Sequence, residues 1–147
     1  MWLSKVFGTN KPVLGMVHVG ALPGSPLYDE KKGLAGLIER AEADYHALVG
    51  GGVDGVIICN EHDKPHTLKA GPEIVAAITR ITCEITRAKK VPFGIDILWD
   101  PIASLAIANS TGAAFIRGVV SGAYSGDLGI WNTCAGKTLR FRRNIGA

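Results

Sequence analysis

The sequence has few cysteines, no long apolar run and no large excess of one charge. Its 147 residues include three cysteines, too few for a disulfide scaffold. No apolar stretch reaches the ~18 residues that a membrane-spanning helix needs. Lysine and arginine together number 16 against 13 acidic residues, so the net charge of +3 does not argue for nucleic-acid binding. We therefore expect one globular domain over residues 1–147, with no nucleic-acid partner.

The amino terminus also lacks the pattern of a secretory signal. Residues 1–8 contain no basic stretch followed by an apolar segment of about 7–15 residues. Cys59, Cys83 and Cys134 are widely spaced and form no C-x-x-C pair. We expect them to be reduced and mostly buried thiols in a cytoplasmic protein, and we predict no metal site.

Glycine is abundant, with 19 residues that fall mostly between periodic segments. Short apolar runs predict strands over residues 13–17, 53–59, 93–98 and 115–120. Amphipathic spacing and helix-start signals predict helices over residues 34–49, 72–88, 101–109 and 131–145. Four strand–helix units in alternation predict an α/β fold with a parallel sheet covered by helices.

Two nucleotide-binding patterns are missing from this α/β sequence. The segment after the first predicted strand, residues 18–24, contains no G-x-G-x-x-G that opens a helix. No G-x-x-x-x-G-K-[ST] phosphate loop occurs either. The sequence therefore gives little support to a dinucleotide-binding or P-loop function.

Polar residues lie where the predicted strands end. Catalytic and binding groups of parallel β/α folds occupy the carboxyl ends of the strands. The candidates at or just after these ends are, in chain order, His18, Asn60, Glu61, Asp96, Asp100, Arg117 and Asp127. Because they come from successive strand ends, we expect them to converge on one pocket.

Each candidate also has a structural interpretation. His18 fits a hydrogen-bonded histidine of the core, and Asn60 fits a turn residue. Asp100 precedes a proline and fits a helix N-cap. Glu61 fits a solvated loop, and Asp127 fits a turn among glycine and serine. These alternatives remain open at this stage.

Asp96 and Arg117 are more informative because both interrupt apolar strands. Alternation along a strand places Asp96 on the face opposite Ile95 and Ile97. If the isoleucines contact helices, Asp96 points to the other face, where Arg117 of the next strand is within reach. A buried charge needs a partner, so we predict an Asp96–Arg117 ion pair. The pair is either purely structural or an anchor for an anionic substrate group, for which arginine is suited.

Several characteristic motifs follow one another along the whole chain, at residues 11–18, 21–26, 51–56, 91–100, 111–117 and 122–124. In this order and spacing they resemble the BtpA/SgcQ family of TIM-barrel proteins. The SgcQ-like branch shows the greater resemblance. Position 96 departs from the family pattern, in which asparagine is common.

The resemblance implies a (β/α)8 barrel of the ribulose-phosphate-binding group. It implies a phosphorylated sugar or nucleoside-like substrate, because SgcQ-like members are associated with sugar uptake and metabolism. No cofactor and no reaction can be assigned from it. On this view the catalytic candidates are His18, Asp96 and Asp100. The substrate-binding candidates are Asn60, Glu61, Arg117 and Asp127.

The alternative function comes from the BtpA branch, which is linked to photosystem I biogenesis at a membrane surface. Its best sequence support is a basic group on the last predicted helix. A solvated helix face with cations near its carboxyl end explains the same residues. These residues are Lys137, Arg140, Arg142 and Arg143.

The length of the chain conflicts with a complete barrel, which needs roughly 200–250 residues. We therefore expect an amino-terminal half-barrel of four β/α units. Such a half has unpaired edges at its first and fourth strands and an uncovered apolar face. This predicts self-association, pairing with a second half-barrel, or poor solubility. It also leaves open that the chain is inactive by itself.

Overall fold

The computed structural model describes residues 1–88 and 90–147 and contains one four-stranded parallel sheet. The helices are α1 (Trp2–Phe7), α2 (Gly33–Gly50), α3 (Pro72–Ile85), α4 (Pro101–Thr111) and α5 (Ala135–Asn144). The strands are β1 (Leu14–His18), β2 (Gly55–Cys59), β3 (Phe93–Asp96), β4 (Phe115–Ile116), β5 (Ala123–Gly126) and β6 (Gly129–Asn132). The mixed α/β class and the parallel sheet of four strands are confirmed.

The sheet has the simple order β1-β2-β3-β4, so each strand pairs with the next one along the chain. Helices α2 and α4 pack on the sheet, and α3 packs between them. The core under these helices consists of aliphatic strand residues such as Val17, Ile58 and Ile95, all fully buried, and of helix residues such as Tyr45 and Ile78. This is the helix-covered face that the apolar runs predict.

The opposite face of the sheet, which we call the open face, is partly covered at its amino end. Trp2 and Phe7 of α1 pack edge-to-face against Phe115, with ring centroids 6.1 and 5.4 Å away. Gly94 makes room for this cluster, since a Cβ there would lie 2.3 Å from the Phe115 ring. The expectation of a wholly uncovered face was therefore wrong at this end, because α1 was not predicted.

The segment after β4 differs most from the prediction. The predicted strand 115–120 pairs over Phe115–Ile116 only. The predicted helix 131–145 begins at Ala135, because its first part forms β6. β5 and β6 make an antiparallel hairpin that pairs Tyr124 with Trp131. Trp131 also contacts Trp99 edge-to-face at 5.1 Å, and this tertiary contact favours the hairpin over a helix start.

The cysteines are free thiols, but they are not mostly buried. Cys59 is fully buried in β2, whereas Cys83 and Cys134 are exposed. Within residues 1–88 and 90–147, none of the helices has both the length and the apolar character that crossing a bilayer requires.

Candidate functional site

Four side chains form a row across the carboxyl ends of β1 to β4, and we call it the strand-end row. In the β-sheet register His18 lies opposite Cys59, and Cys59 lies opposite Asp96. Arg117 follows the last pair of β3 and β4, and its N–H donates to the Ile95 carbonyl at 3.0 Å. Residues opposite one another in a parallel sheet share a face. The row therefore lies on the open face, with one residue from each of β1, β2 and β3 and with Arg117 directly after β4.

The predicted ion pair is present in this row. Arg117 Nη1 lies 3.2 Å from Asp96 Oδ2. The Asp96 side chain is only 5% exposed, whereas that of Arg117 is 60% exposed. The pair thus links a buried carboxylate to a guanidinium that still reaches solvent.

Burial raises the pKa of the Asp96 carboxyl above its usual range. The Arg117 guanidinium and the Cys59 thiol offset part of that shift, because both favour the carboxylate. Glu61 adds to the upward shift through like-charge repulsion, and His18 acts in the opposite direction. Asp96 is therefore electrostatically coupled to both neighbouring strand ends and to the loop after β2.

Cys59 belongs to the row, although the sequence reasoning treated it only as a buried thiol. Its burial and the nearby Asp96 and Glu61 raise the pKa of its thiol to about 12. A thiol with that pKa stays protonated at neutral pH, so it can donate a hydrogen bond but is a poor nucleophile. The chemistry of the row therefore rests on its carboxylate, imidazole and guanidinium.

The loop after β2 brings a second imidazole to His18. The rings of His18 and His62 meet edge-to-face, with centroids 5.9 Å apart. Sequence spacing gave no sign of this pair, because the two histidines lie 44 residues apart and only the β1–β2 register brings them together. Among the described residues, no group of three or more His, Cys, Asp or Glu side chains is arranged to hold a metal ion.

Asn60 does not join the row. Its side chain is buried, and its Oδ1 accepts a hydrogen bond from the Leu98 N–H at 2.9 Å. It borders a cavity of about 460 Å³ that the loops after β1 and β2 enclose. The expectation that Asn60 converges with His18 and Asp96 on one pocket was therefore wrong, because Cys59 occupies the row position of β2.

Asp100 occupies the N-cap of α4, as the structural interpretation proposes. Its Oδ1 accepts the N–H groups of Ile102 and Ala103 at 3.1 and 3.0 Å. Its Oδ2 accepts the Ala70 N–H at 3.0 Å, which ties the loop after β2 to the start of α4. Both oxygens are thus already engaged, and we leave Asp100 out of the proposed catalytic group.

Asp63 makes the equivalent connection between the loops after β1 and β2, and the sequence reasoning did not single it out. It is buried, and its Oδ1 accepts the Leu22 N–H at 3.1 Å. Beside it, Ser25 Oγ donates to the Lys64 carbonyl at 2.9 Å. Three neighbouring strand-end loops are therefore held together by side-chain to backbone hydrogen bonds, which gives the open face a preformed rim.

Asp127 lies away from the row. It sits at the tip of the β5–β6 hairpin, between the paired Gly126 and Gly129, and it is exposed. It lines a separate cleft that also contains Trp99 and Trp131. The structure therefore separates the predicted residues into three groups. The strand-end row has Glu61 near it, Asn60 and Asp100 are buried and hydrogen-bond to loop or helix backbone, and Asp127 lies in the hairpin.

Comparisons with known proteins place this chain in a family. Residues 9–147 match the model of the BtpA family. The chain belongs to the BtpA family. This confirms the resemblance that the sequence motifs indicate. No solved structure gives a significant match.

Curated relatives of this BtpA-family chain come from distant organisms. SgcQ, the sgc region protein of Escherichia coli, is 44% identical over 99% of this chain and 54% of its own length. The photosystem I biogenesis protein BtpA of Synechocystis is 38% identical over 99% of this chain and 51% of its own length. A protein of Archaeoglobus fulgidus is 38% identical over 92% of this chain and 54% of its own length. The chain thus spans about half the length of the curated relatives it matches.

Proposed function

We propose that the chain carries part of a small-molecule site that takes a phosphorylated sugar or nucleoside-like metabolite. The observation that carries this proposal is the strand-end row, which collects His18, Asp96 and Arg117 on one face at the carboxyl ends of parallel strands. Chemistry in parallel β/α folds occurs at this position.

Arg117 is the proposed anion-binding group. Its Nη1 nitrogen contacts Asp96. The guanidinium carries five N–H donors in a planar fork. The 60% exposed side chain leaves donors accessible to a ligand, and they suit two oxygens of a phosphate. Asp96 acts as a positioning residue, because a buried carboxylate fixes the guanidinium in one orientation.

His18 is the proposed acid–base group. An imidazole has one nitrogen that can donate a proton and one that can accept it, which suits proton transfer to and from a bound metabolite. Its neighbour His62 is exposed at the rim, and Glu61 lies close enough to influence both Asp96 and Cys59. Glu61 is thus the proposed second polar contact for the substrate.

We place the sheet as four strands of a (β/α)8 barrel of the ribulose-phosphate-binding type. Support comes from the order β1-β2-β3-β4, from helices packed on one face, and from a chain that spans about half of its relatives. In a barrel the open face would be the interior. We propose that a second half-barrel or a second copy of this chain completes it, and that the protein acts in the cytoplasm.

We propose as a second candidate a non-catalytic assembly function at a membrane surface; the Synechocystis relative is named for photosystem I biogenesis. The observation that favours it is α5, which presents four exposed cations and the 57% exposed side chain of Leu139. The cations are Lys137, Arg140, Arg142 and Arg143. Sedimentation with phosphatidylserine vesicles tests it, and a chain that stays in the supernatant at low salt removes it.

The primary proposal is tested by calorimetric titration with ribose 5-phosphate and with ribose. We expect ribose 5-phosphate to bind and Arg117→Gln to weaken it about tenfold or more, because a charge-assisted contact is lost. Arg140→Gln on α5 is the matched control and should bind as the parent chain does. His18→Gln should keep the binding, since the proposed role of His18 is proton transfer. Equal binding by Arg117→Gln and the parent chain would reject the proposal.

A further inference from the structure

A cleft of about 400 Å³ opens between the β5–β6 hairpin and the loops after β2 and β3. Trp99, Trp131 and Tyr124 line it, together with Leu68 and Pro65. The rings of Trp131 and Trp99 meet at 84°, and Tyr124 lies tilted on Trp131 with centroids 5.6 Å apart. Its walls are therefore mainly aromatic faces and apolar side chains.

Trp99 adopts a backbone conformation that a bulky residue rarely takes. Its φ is 69°, in the left-handed region that glycine and asparagine occupy more easily. The residue lies in the tight turn that the Asp100 N–H closes onto the Ile97 carbonyl at 3.0 Å. Strained residues of this kind cluster at ligand sites. Here the strained backbone presents an indole, 36% exposed, to the hairpin.

The cleft also holds a polar atom with an unmet hydrogen bond. His66 lines the cleft, and its Nδ1 is buried without a hydrogen-bond partner. A buried polar group without a partner is costly and calls for an explanation. A turn of the imidazole toward the cleft would let the polar edge of a bound ligand supply that partner.

We propose that this cleft is a binding subsite for a flat heteroaromatic ring of the nucleobase class, stacked on the face of one indole of the Trp99–Trp131 pair and meeting the other edge-to-face, with its polar edge toward His66. The aromatic side chains supply a stacking surface and His66 supplies a hydrogen-bonding group. Together they match a ligand ring with two apolar faces and a polar edge. Lys64 and Asp127 also line the cleft and offer both signs of charge to groups attached to the ring.

The subsite lies at the same end of the sheet as the strand-end row, because Trp99 follows Asp96 by three residues. None of the four row residues lines the cleft as the structure describes it. The inference therefore does not depend on the proposed anion site, although one ligand with a base and a phosphate could use both.

The test is a nuclear magnetic resonance titration that follows the three indole N–H signals of Trp2, Trp99 and Trp131. The probes are adenosine, which has a base, and ribose, which has none. We expect adenosine to shift the signals of Trp99 and Trp131 and to leave Trp2 unmoved, because Trp2 packs on Phe115 at the amino end of the sheet. Trp2→Phe assigns that signal and should bind adenosine as the parent chain does.

Two variants sharpen the result. Trp131→Leu should weaken adenosine about tenfold, in the range of one base–aromatic stack. His66→Phe keeps an aromatic ring without the nitrogen and should weaken adenosine several-fold. Arg117→Gln should leave adenosine unaffected, which separates this inference from the proposed anion site. The inference is overturned if adenosine moves no indole signal, or if ribose moves the same signals as strongly.

Discussion

Arg117 and Asp96 join neighbouring strands through a 3.2 Å contact in which the cation is exposed and the carboxylate is buried. The asymmetry matters for energetics. The free energy lost when a carboxylate is withdrawn from water exceeds the free energy gained from one contact with an exposed guanidinium. The pair is therefore weak evidence for stability. In the proposed anion site, the pair serves to hold the guanidinium at the strand end, where an anion would reach it.

The first prediction concerns Asp96 and pH. Burial raises the pKa of the Asp96 carboxyl above its unfolded value, so the folded chain binds the proton more tightly than the unfolded chain. The free energy of unfolding therefore falls as the pH rises from the pKa of Asp96 in the unfolded chain to its higher pKa in the folded chain, because the carboxyl loses its proton in that range. We expect Asp96→Asn to melt higher than the parent chain at neutral pH. The advantage should shrink as the pH falls toward about 4.

Melting temperatures between about pH 4 and pH 8 measure this difference. Asp127→Asn is the control, since it removes an exposed aspartate at the hairpin tip, away from Asp96. An Asp96→Asn variant whose advantage grows toward acid pH would mean that the folded carboxyl has a lowered pKa.

The second prediction concerns thiol reactivity. Cys59 is fully buried and the pKa of its thiol is raised to about 12, whereas Cys83 and Cys134 are exposed. Because the thiolate is the reacting form, we expect two thiols to react promptly with Ellman's reagent in the native chain. The third should react only on unfolding in urea. If a Cys59→Ser variant still shows two thiols that react promptly, Cys59 is the slowly reacting thiol of the parent chain. A parent chain with three promptly reacting thiols refutes the prediction.

The parts of this arrangement that the sequence could predict are those governed by local rules. Strand alternation placed Asp96 and Arg117 together, because Ile95 and Ile97 mark the helix-covered face of β3. The proline after Asp100 marked a helix start, and the N-cap is where that rule puts it. Both rules need only a few neighbouring residues.

The parts that escaped prediction depend on distant contacts. β2 is buried on both faces and reads as a continuous apolar run, so alternation could not decide whether Cys59 or Asn60 faces the row. α1 is short, and its aromatic residues find their partner, Phe115, more than a hundred residues later. The hairpin is exposed along both strands apart from the half-buried Trp131, so its sequence lacks the alternating apolar pattern that predicts a strand.

The third prediction separates capping from catalysis at Asp100. Asp100→Ala removes three accepted N–H bonds, two at the start of α4 and one from Ala70. We expect a loss of about 2–4 kcal/mol in the free energy of unfolding, measured with urea. Asp100→Asn keeps one acceptor oxygen for the cap and should lose less. Asp127→Ala should change stability by less than about 0.5 kcal/mol.

An outcome in which Asp100→Ala is as stable as the parent chain would contradict the structural role. Asp100→Asn should bind ribose 5-phosphate as the parent chain does, because both Asp100 oxygens already accept backbone N–H bonds. A specific loss of binding without a loss of stability would return Asp100 to the functional candidates.

The last prediction concerns the open face and the two outer strands. In the part of the chain that the structure describes, β1 pairs only with β2, and β4 pairs only with β3. Met16 of β1 is half-buried and shares the open face with Ile57 and Gly94. Unpaired strand edges beside an apolar face favour association with another sheet. We therefore expect light scattering to give a mass of at least twice the 15.5 kDa of one chain.

Met16→Lys should shift this association toward the monomer, because association through the open face would bury an unpaired lysine charge in an apolar interface. Leu139→Lys is the matched control, since Leu139 lies on α5 and is already exposed, and it should associate as the parent chain does. A parent chain that is monomeric at high micromolar concentration contradicts the prediction. So does a Leu139→Lys variant that dissociates while Met16→Lys does not, because association would then run through α5 rather than through the open face.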